Sequence, residues 1–408
     1  MISKVSISNF KSIYKQDFEL GRVNVFIGEN GSGKSNILEA LVMLSASKTD
    51  DLNSEDLFNK GLRVTRPSLT FNSFLGNAAK KNIHIEAVVD NYIVSSNLTC
   101  SNDNDIQANW IDKGSSYVEE YFVAKVRDRV LRTIQDDIKI LVSDNLNETG
   151  ELPEINQSVI TAKINELVKE KASTIAIEEA DNDYIRNYII YNTSTNALRG
   201  ITNESKKYPL GINGEGLDVL LSSFDNEQLL ELKQTKFISW LKDIHIDTND
   251  SLKINGYKLG RSNSKLYFTD KFMQRKNNLF SAENANEGAL HILFYLALFI
   301  SKETPKFFAI DNIENALNPM LCRQIIKRIT ELALKNDKQT LITTHNPAVL
   351  DGLNLHDEEQ RLFVVKRTDE GHTKIERIKL KPNSGNGNLK LSELWMRGYL
   401  GALPSNIF

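Results

Sequence analysis

A glycine-rich turn between an apolar run and a helix-like segment constrains this chain more than any other feature. Residues 28–35 read GENGSGKS and fit the spacing G-x-x-x-x-G-K-[ST] completely. The turn follows the apolar run Val23–Ile27 and precedes residues 36–44, whose apolar positions recur at helical spacing. A strand, a glycine loop and a helix in this order predict a phosphate-binding loop in an α/β fold.

The residue types in this turn suit the chemistry of phosphate binding. Glycines let consecutive backbone N–H groups turn inward around phosphate oxygens, and the following helix offers its N-terminus to the same anion. Lys34 would reach the β- and γ-phosphates of ATP, and the Ser35 hydroxyl would coordinate Mg²⁺. The predicted ATP-binding residues of the turn are Gly28, Asn30, Gly31, Ser32, Gly33, Lys34, Ser35 and Asn36.

A second candidate is the acid that ends an apolar run far downstream. The run Phe307–Ile310 precedes Asp311, and a helix-like segment follows. A buried strand that ends in a carboxylate places this acid at the strand's C-terminal edge, where a Walker B aspartate holds Mg²⁺. Any buried strand can end in Asp, so the pattern gains its weight from its place downstream of the phosphate loop. The predicted metal ligands are therefore Ser35 and Asp311.

Several further segments, taken with these two, resemble the SMC-like and OLD-like AAA family of ATPases. The opening residues 10–13 (FKSI) and the phosphate loop resemble the start of that family. The resemblance covers both ends of the chain and most of residues 184–408, and it implies an ABC-type ATPase head, a P-loop α/β fold with a mixed sheet. The other matching segments are 286–290 (NEGAL, signature), 311–319 (DNIENALNP, Walker B and D-loop) and 343–351 (TTHNPAVLD, histidine switch).

The resemblance also implies roles for individual residues. Asn286 and Gly288 of the signature would bind the γ-phosphate held by a second subunit, so that two copies enclose ATP. The family usually has Glu directly after the Walker B Asp, whereas this chain has Asn312, whose amide cannot accept a proton from water. Slow hydrolysis is expected, with Glu314 as a partial substitute. The predicted catalytic residues are Asp311, Asn312, Glu314 and His345.

The patterns divide the chain into three regions. Apolar residues recur every four positions from Val118 to Val142, and a second helix is predicted over 154–171, which together indicate a helical pair. The polar stretch 100–115 is predicted to be a loop, and residues 184–192 have strand character. The predicted regions are an N-terminal lobe (1–99), a helical insertion (100–183) and a C-terminal lobe with signature, Walker B and switch (184–408).

Net charge, cysteine spacing and the length of the apolar runs argue against several classes of protein. The formal net charge of −3 gives no bulk attraction to nucleic acid or to anionic membranes. Cys100 and Cys322 stand far apart, which predicts free thiols rather than a disulfide or a zinc site. The apolar run 292–300 is too short to span a bilayer, and no signal-peptide pattern is visible. We therefore expect a cytoplasmic protein that does not contact a membrane.

Three functions agree with these observations. The first is an ATP-driven switch, a homodimer or larger even-numbered oligomer, that regulates a separate effector (a nuclease or toxin), because ATPases resembling this chain occur in bacterial anti-phage defence operons. The second is a DNA-repair or recombination ATPase that binds DNA. The third is a nearly inactive, ATP-bound scaffold. The missing glutamate favours the first and third over a fast motor, whereas DNA-dependent hydrolysis would favour the second.

Overall fold

The computed structural model of the protein describes most of the chain, including every predicted site residue. Of the helix predicted from Val118, Phe122 and Val126 lie outside the described part. The described residues are 1–49, 51–74, 81–89, 92–105, 108–113, 117–118, 127, 129–143, 145, 154–179, 183–201, 209–233, 237–257, 260–379 and 389–401.

Strands run through the whole described part. They are β1 (Ile2–Phe10), β2 (Ile13–Glu19), β3 (Val23–Ile27), β4 (Ile83–Val89), β5 (Tyr92–Cys100), β6 (Trp110–Asp112), β7 (Tyr117–Val118), β8 (Ile190–Tyr191), β9 (Leu241–Ile246), β10 (Leu266–Asp270), β11 (Leu279–Ser281), β12 (Phe307–Ile310), β13 (Gln339–Thr343), β14 (Gln360–Arg367) and β15 (Thr373–Ile378).

The helices alternate with these strands. They are Lys34–Ser47, Ser54–Asn59, Pro67–Thr70, Gln135–Ser143, Glu154–Glu179, Asp183–Arg186, Thr195–Leu198, Leu217–Ser222, Asn226–Lys233, Ser251–Ile254, Glu287–Ile300, Pro319–Lys335, Pro347–Leu350 and Leu391–Met396, with a 3-10 turn at Ala282–Asn284. No helix of the described part is both long and apolar enough to cross a membrane.

The central sheet has the strand order β15-β14-β3-β13-β12-β8. Its strands pair in parallel from β14 to β8, and β15 pairs antiparallel with β14. All residues of β3, β12 and β13 are buried, because both faces of the sheet are covered. The carboxyl ends of these parallel strands meet at one edge, so the segments after them come together.

The N-terminal sheet is antiparallel, with the order β2-β1-β4-β5-β6 and β7 paired to β5. The strand-like residues 83–99 predict a β-hairpin, and β4 pairs antiparallel with β5 over this segment. The loop predicted over 100–115 was wrong at β6, where Cys100 pairs with Trp110. The Trp110 ring also lies 5.5 Å from the ring of Phe71, a distant partner that local polarity does not reveal. These strands continue the N-terminal sheet beyond residue 99.

The middle of the chain is helical but differs from the prediction at two places. Val118 lies in β7 rather than in a helix, and the strand predicted for 184–192 begins as the helix Asp183–Arg186 and is limited to β8. The second predicted helix is confirmed as Glu154–Glu179, which contacts Gln135–Ser143. Buried side chains of the helix Glu154–Glu179, for example Val168, join the core of the N-terminal half. Together with the central sheet, in which β15 runs antiparallel to its parallel neighbours, these helices confirm the predicted α/β fold with a mixed sheet.

Candidate functional site

The turn after β3 packs closely against residues of β14 and β15. A Cβ atom at Gly28 would lie 2.1 Å from the Val365 carbonyl oxygen. Gly33 has a φ of 106°, and a Cβ there would lie 2.1 Å from Thr373 Oγ1. Glycine is therefore required at both positions by space, and at Gly33 also by backbone conformation. The helix Lys34–Ser47 begins directly after it.

Lys34 lies inside the ring formed by this turn. Its ammonium donates hydrogen bonds to the carbonyl oxygens of Gly28 (2.8 Å) and Glu29 (3.0 Å), and the residue is only 6% exposed. Burial lowers the pKa of Lys34 to about 8, against the opposing influence of Asp311 and nearby glutamates. The Ser32 hydroxyl beside it is buried and has no hydrogen-bond partner among the described residues.

The predicted metal ligands come together at the sheet edge. Ser35 Oγ lies 3.1 Å from Asp311 Oδ2, although 276 positions separate the two residues. Thr343, at the end of β13, donates its hydroxyl to Asp311 Oδ1 and accepts the Asn312 N–H at 2.9 Å. Thr343 orients the carboxylate, and sequence reasoning missed this role because the contact depends on strand neighbours.

A hydroxyl and a carboxylate are hard oxygen donors, so this pair fits Mg²⁺. Within the described part, no group of three or more His, Cys, Asp or Glu side chains could hold a metal ion. A magnesium ion at Ser35 and Asp311 would therefore take its other ligands from water and from phosphate oxygens, as this ion commonly does.

The segment after Asp311 carries the other predicted catalytic residues. Asn312 has a φ of 57°, a left-handed conformation that asparagine tolerates better than most residues. Glu314 Oε1 accepts the backbone N–H of His345 at 2.7 Å, and Glu314 Oε2 is buried without a partner among the described residues. The structure thus links Glu314 to the start of the switch segment, and the His345 side chain is exposed.

The signature residues lie elsewhere on the molecule. Asn286 is exposed and caps the helix Glu287–Ile300, where its side chain accepts the Ala289 N–H. A Cβ at Gly288 would lie 3.0 Å from the Ala316 carbonyl oxygen. Gly288 lies against residues 316–317, and Asn286 lines a cavity together with Trp240 and Phe280.

Polar side chains from distant segments hold the phosphate loop from outside. The Thr373 hydroxyl donates to the Ser32 carbonyl oxygen at 2.8 Å and lies 2.7 Å from the Ser12 hydroxyl. Asn36 donates to the same Ser12 hydroxyl at 2.6 Å. Sequence reasoning predicted Asn36 as a nucleotide ligand, and the structure places it in this supporting network. Ser12 belongs to the FKSI segment, which was its only signal, and Thr373 had none.

A cavity of about 450 Å³ opens beside the loop. Arg367 lies at its edge, where Nε donates to the Gly31 carbonyl oxygen at 2.8 Å and the guanidinium stands 5.3 Å from the centre of the Phe74 ring. The described lining contains three cations and no carboxylate, so the cavity favours an anionic ligand. The lining residues are Lys11, Ser12, Asn36, Arg63, Thr65, Leu69, Phe71, Ser73, Phe74 and Arg367.

Comparison with known proteins finds relatives whose names describe DNA repair. The chain is 27% identical over 196 residues to the DNA double-strand break repair Rad50 ATPase of Thermoplasma volcanium, which is 46% of this chain and 21% of that protein. It is 23% identical over 274 residues to the DNA replication and repair protein RecF of Clostridioides difficile, which is 55% of this chain and 73% of that protein. The chain thus spans about a fifth of the length of the Rad50 relative.

Solved structures and a family description complete the comparison. The SMC head domain from Thermotoga maritima has 13% sequence identity and a TM-score of 0.47, with 93% of this chain and 99% of that chain covered. Residues 23–351 match the family described as "AAA domain, putative AbiEii toxin, Type IV TA system". Because this match spans most of the chain, including the phosphate loop, Asp311 and His345, the protein belongs to that AAA domain family.

Proposed function

We propose that the protein binds ATP with Mg²⁺ at the phosphate loop and hydrolyses it slowly. The observation that carries this proposal is the approach of Ser35 Oγ to Asp311 Oδ2 at 3.1 Å, beside the Lys34 ammonium. One lysine, one hydroxyl and one carboxylate at a helix N-terminus are what a Mg²⁺–nucleotide requires from a phosphate loop. The neighbouring cationic cavity has the volume and charge for the rest of the nucleotide.

Slow turnover follows from the groups near the expected position of the γ-phosphate. Asn312 stands directly after Asp311, and its amide can orient a water molecule but cannot accept the proton. The carboxylate of Glu314 already accepts the His345 N–H. This hydrogen bond favours a role for Glu314 in orienting the switch segment over a role as the base that accepts a proton from water. We therefore propose that ATP remains bound for long periods.

ATP-dependent pairing of two copies is the second part of the proposal. The signature residues Asn286 and Gly288 begin a 14-residue helix whose N-terminus can attract an anion. Since Asn286 is exposed, a nucleotide held in a second copy could approach it. A two-fold pair would then contain two equivalent composite sites.

The first experiment measures Mg-ATP affinity and turnover of the full chain beside Lys34→Ala. Removing the ammonium deletes a charged hydrogen-bond donor to phosphate, so we expect at least about a hundredfold weaker binding and no turnover. Lys253→Ala, an exposed lysine in the helix Ser251–Ile254, serves as the matched control. Equal affinity in Lys34→Ala and the control would reject the phosphate-loop site.

We further propose that the ATP cycle regulates a separate effector, a nuclease or toxin, in bacterial anti-phage defence. The support is the family description, which names a toxin of a type IV toxin–antitoxin system. Phage plating on cells that carry the gene with its native neighbours, as wild type or Lys34→Ala, tests this output. Equal plaque counts for the two alleles, below those of cells without the genes, would contradict nucleotide control of defence.

A DNA-dependent ATPase is the competing candidate, because the Rad50 and RecF relatives carry DNA repair in their names. Turnover with and without double-stranded DNA separates the two proposals. A several-fold increase with DNA would favour the DNA-processing function. Turnover that ignores DNA, together with a long-lived ATP complex, would favour the switch or the scaffold.

A further inference from the structure

One carboxylate on the phosphate-loop helix has no role in the site described so far. Glu39 follows Ser35 by one helical turn and is only 1% exposed. Its Oε2 accepts the Lys11 ammonium at 2.5 Å, and its Oε1 accepts Arg63 Nε at 2.6 Å and the Arg63 backbone N–H at 3.1 Å. Burial would raise the pKa of the Glu39 carboxyl, but the hydrogen bond from Arg63 and the charge of Lys11 outweigh it, so the pKa is lowered.

The backbone of Lys11 is held in a defined position. Lys11 has a φ of 47°, a left-handed conformation that strains a non-glycine residue and persists where its surroundings fix it. Its N–H donates to the Thr70 carbonyl oxygen at 2.7 Å, and its carbonyl accepts from Asn72 Nδ2 at 2.9 Å. Glu39 therefore holds a lysine whose backbone is already fixed.

Both cations also line the cavity beside the phosphate loop. The three charges of Glu39, Lys11 and Arg63 leave one net positive charge, and Arg367 adds another at the cavity edge. The Arg63 side chain is 67% exposed, so its outer face can meet a ligand while Nε remains bound to Glu39. Arg63 Nη2 lies 3.3 Å from Asn36 Oδ1, on the first turn of the phosphate-loop helix.

We propose that Glu39 is a positioning residue for nucleotide binding, which fixes Lys11 and Arg63 where they neutralise the nucleotide phosphate nearest the ribose. This inference rests on the proposed nucleotide site. In the proposed site the phosphate loop binds the β- and γ-phosphates. Lys11 and Arg63 supply positive charge to the α-phosphate. Glu39 contributes through these two side chains and does not contact the nucleotide.

A double-mutant cycle tests whether Glu39 acts through the cations. Mg-ADP affinity is measured by calorimetry for the wild type, Glu39→Gln, Lys11→Met/Arg63→Met and the triple variant. Glu39→Gln should weaken binding about tenfold in the wild-type background and have no further effect once both cations are gone. The same factor in both backgrounds would indicate a merely structural role, and no effect in the wild-type background would overturn the proposal outright.

Arg63→Met alone keeps the test decisive if Glu39→Gln does not fold, because Arg63 is largely exposed. We expect about fivefold weaker Mg-ADP binding, with a lower thermal unfolding midpoint because the buried Glu39 carboxylate loses one of its two cations. Unchanged affinity would overturn the proposal. Lys34→Ala, measured in parallel, separates the two levels: if the wild type binds Mg-ADP and Lys34→Ala does not, the nucleotide site stands whatever Glu39 does. A wild type that does not bind Mg-ADP would reject both.

Discussion

The phosphate loop and the signature segment contribute to one proposed site. They differ in how far the folded chain provides hydrogen-bond partners for their polar side chains. Around the loop, Lys34 and Asp311 have hydrogen-bond partners within the chain. At the signature, Asn286 is exposed and bonds to the start of its own helix. Most buried polar groups find hydrogen-bond partners during folding, whereas exposed ones can acquire them on binding. This difference agrees with the proposed pairing, in which folding assembles one half-site and a second copy would complete it.

The largest effect should follow from removing the carboxylate at the centre of the folded half. Asp311→Ala deletes a proposed metal ligand and leaves the hydroxyls of Ser35 and Thr343 without their acceptor. We expect turnover to fall roughly 100- to 1,000-fold at saturating Mg-ATP. Asp136→Ala, at a surface side chain that is 91% exposed, is the control. A loss of less than about threefold at Asp311 would remove this residue from the site.

A substitution at the signature should affect pairing of two copies without affecting nucleotide binding at the phosphate loop. Asn286→Asp places a carboxylate at the exposed signature position and keeps the helix cap, so it should repel the γ-phosphate held by a second copy. We expect ATP-dependent dimerisation to weaken by at least about thirtyfold, while Mg-ADP binding to the monomer changes less than about twofold. Sedimentation with and without Mg-ATP measures the first quantity and calorimetry the second. Glu287→Gln, at the adjacent exposed position, is the control. Equal losses in both measurements would contradict the separation.

A smaller change is expected at Asn312. Asn312→Glu supplies a base, and we expect about tenfold faster turnover, below the full value of general-base catalysis. The left-handed backbone at this position should cost the variant about 1 kcal/mol of stability. Asn312→Gln has the same length and no base, so it should remain slow. If both variants are equally slow, the missing glutamate is not what limits hydrolysis.

The smallest effect is on the pH dependence of nucleotide affinity. The pKa of Lys34 is about 8 in the free protein, and a neighbouring phosphate favours the charged form and raises it. Below this pKa the lysine is charged in both states and affinity stays constant. Above it, binding must take up a proton, so the Mg-ADP dissociation constant should rise by up to about tenfold per pH unit. Calorimetry from about pH 7 to about pH 8.5, over which the dissociation constant should rise by about fourfold, measures this slope, and Lys34→Met should lack it.

The sequence determined the parts of this protein that depend on close neighbours along the chain. The spacing of residues 28–35 predicts the loop, and the apolar runs 23–27 and 307–310 predict the buried strands β3 and β12, the second of which is followed by Asp311. These features are local, because a glycine turn, a helix N-terminus and a buried strand each follow from a few consecutive residues.

Only the tertiary structure decided which polar side chains support the site. Thr343 reaches Asp311 because β12 and β13 are neighbours, and Thr373 reaches the loop from 341 positions away. Glu39 meets Lys11 and Arg63 from two other segments. The strand β6 likewise forms where β5 offers a partner. A single polar residue has no periodicity to reveal its partner, and a buried polar group is satisfied by whichever segment the fold brings within hydrogen-bond distance.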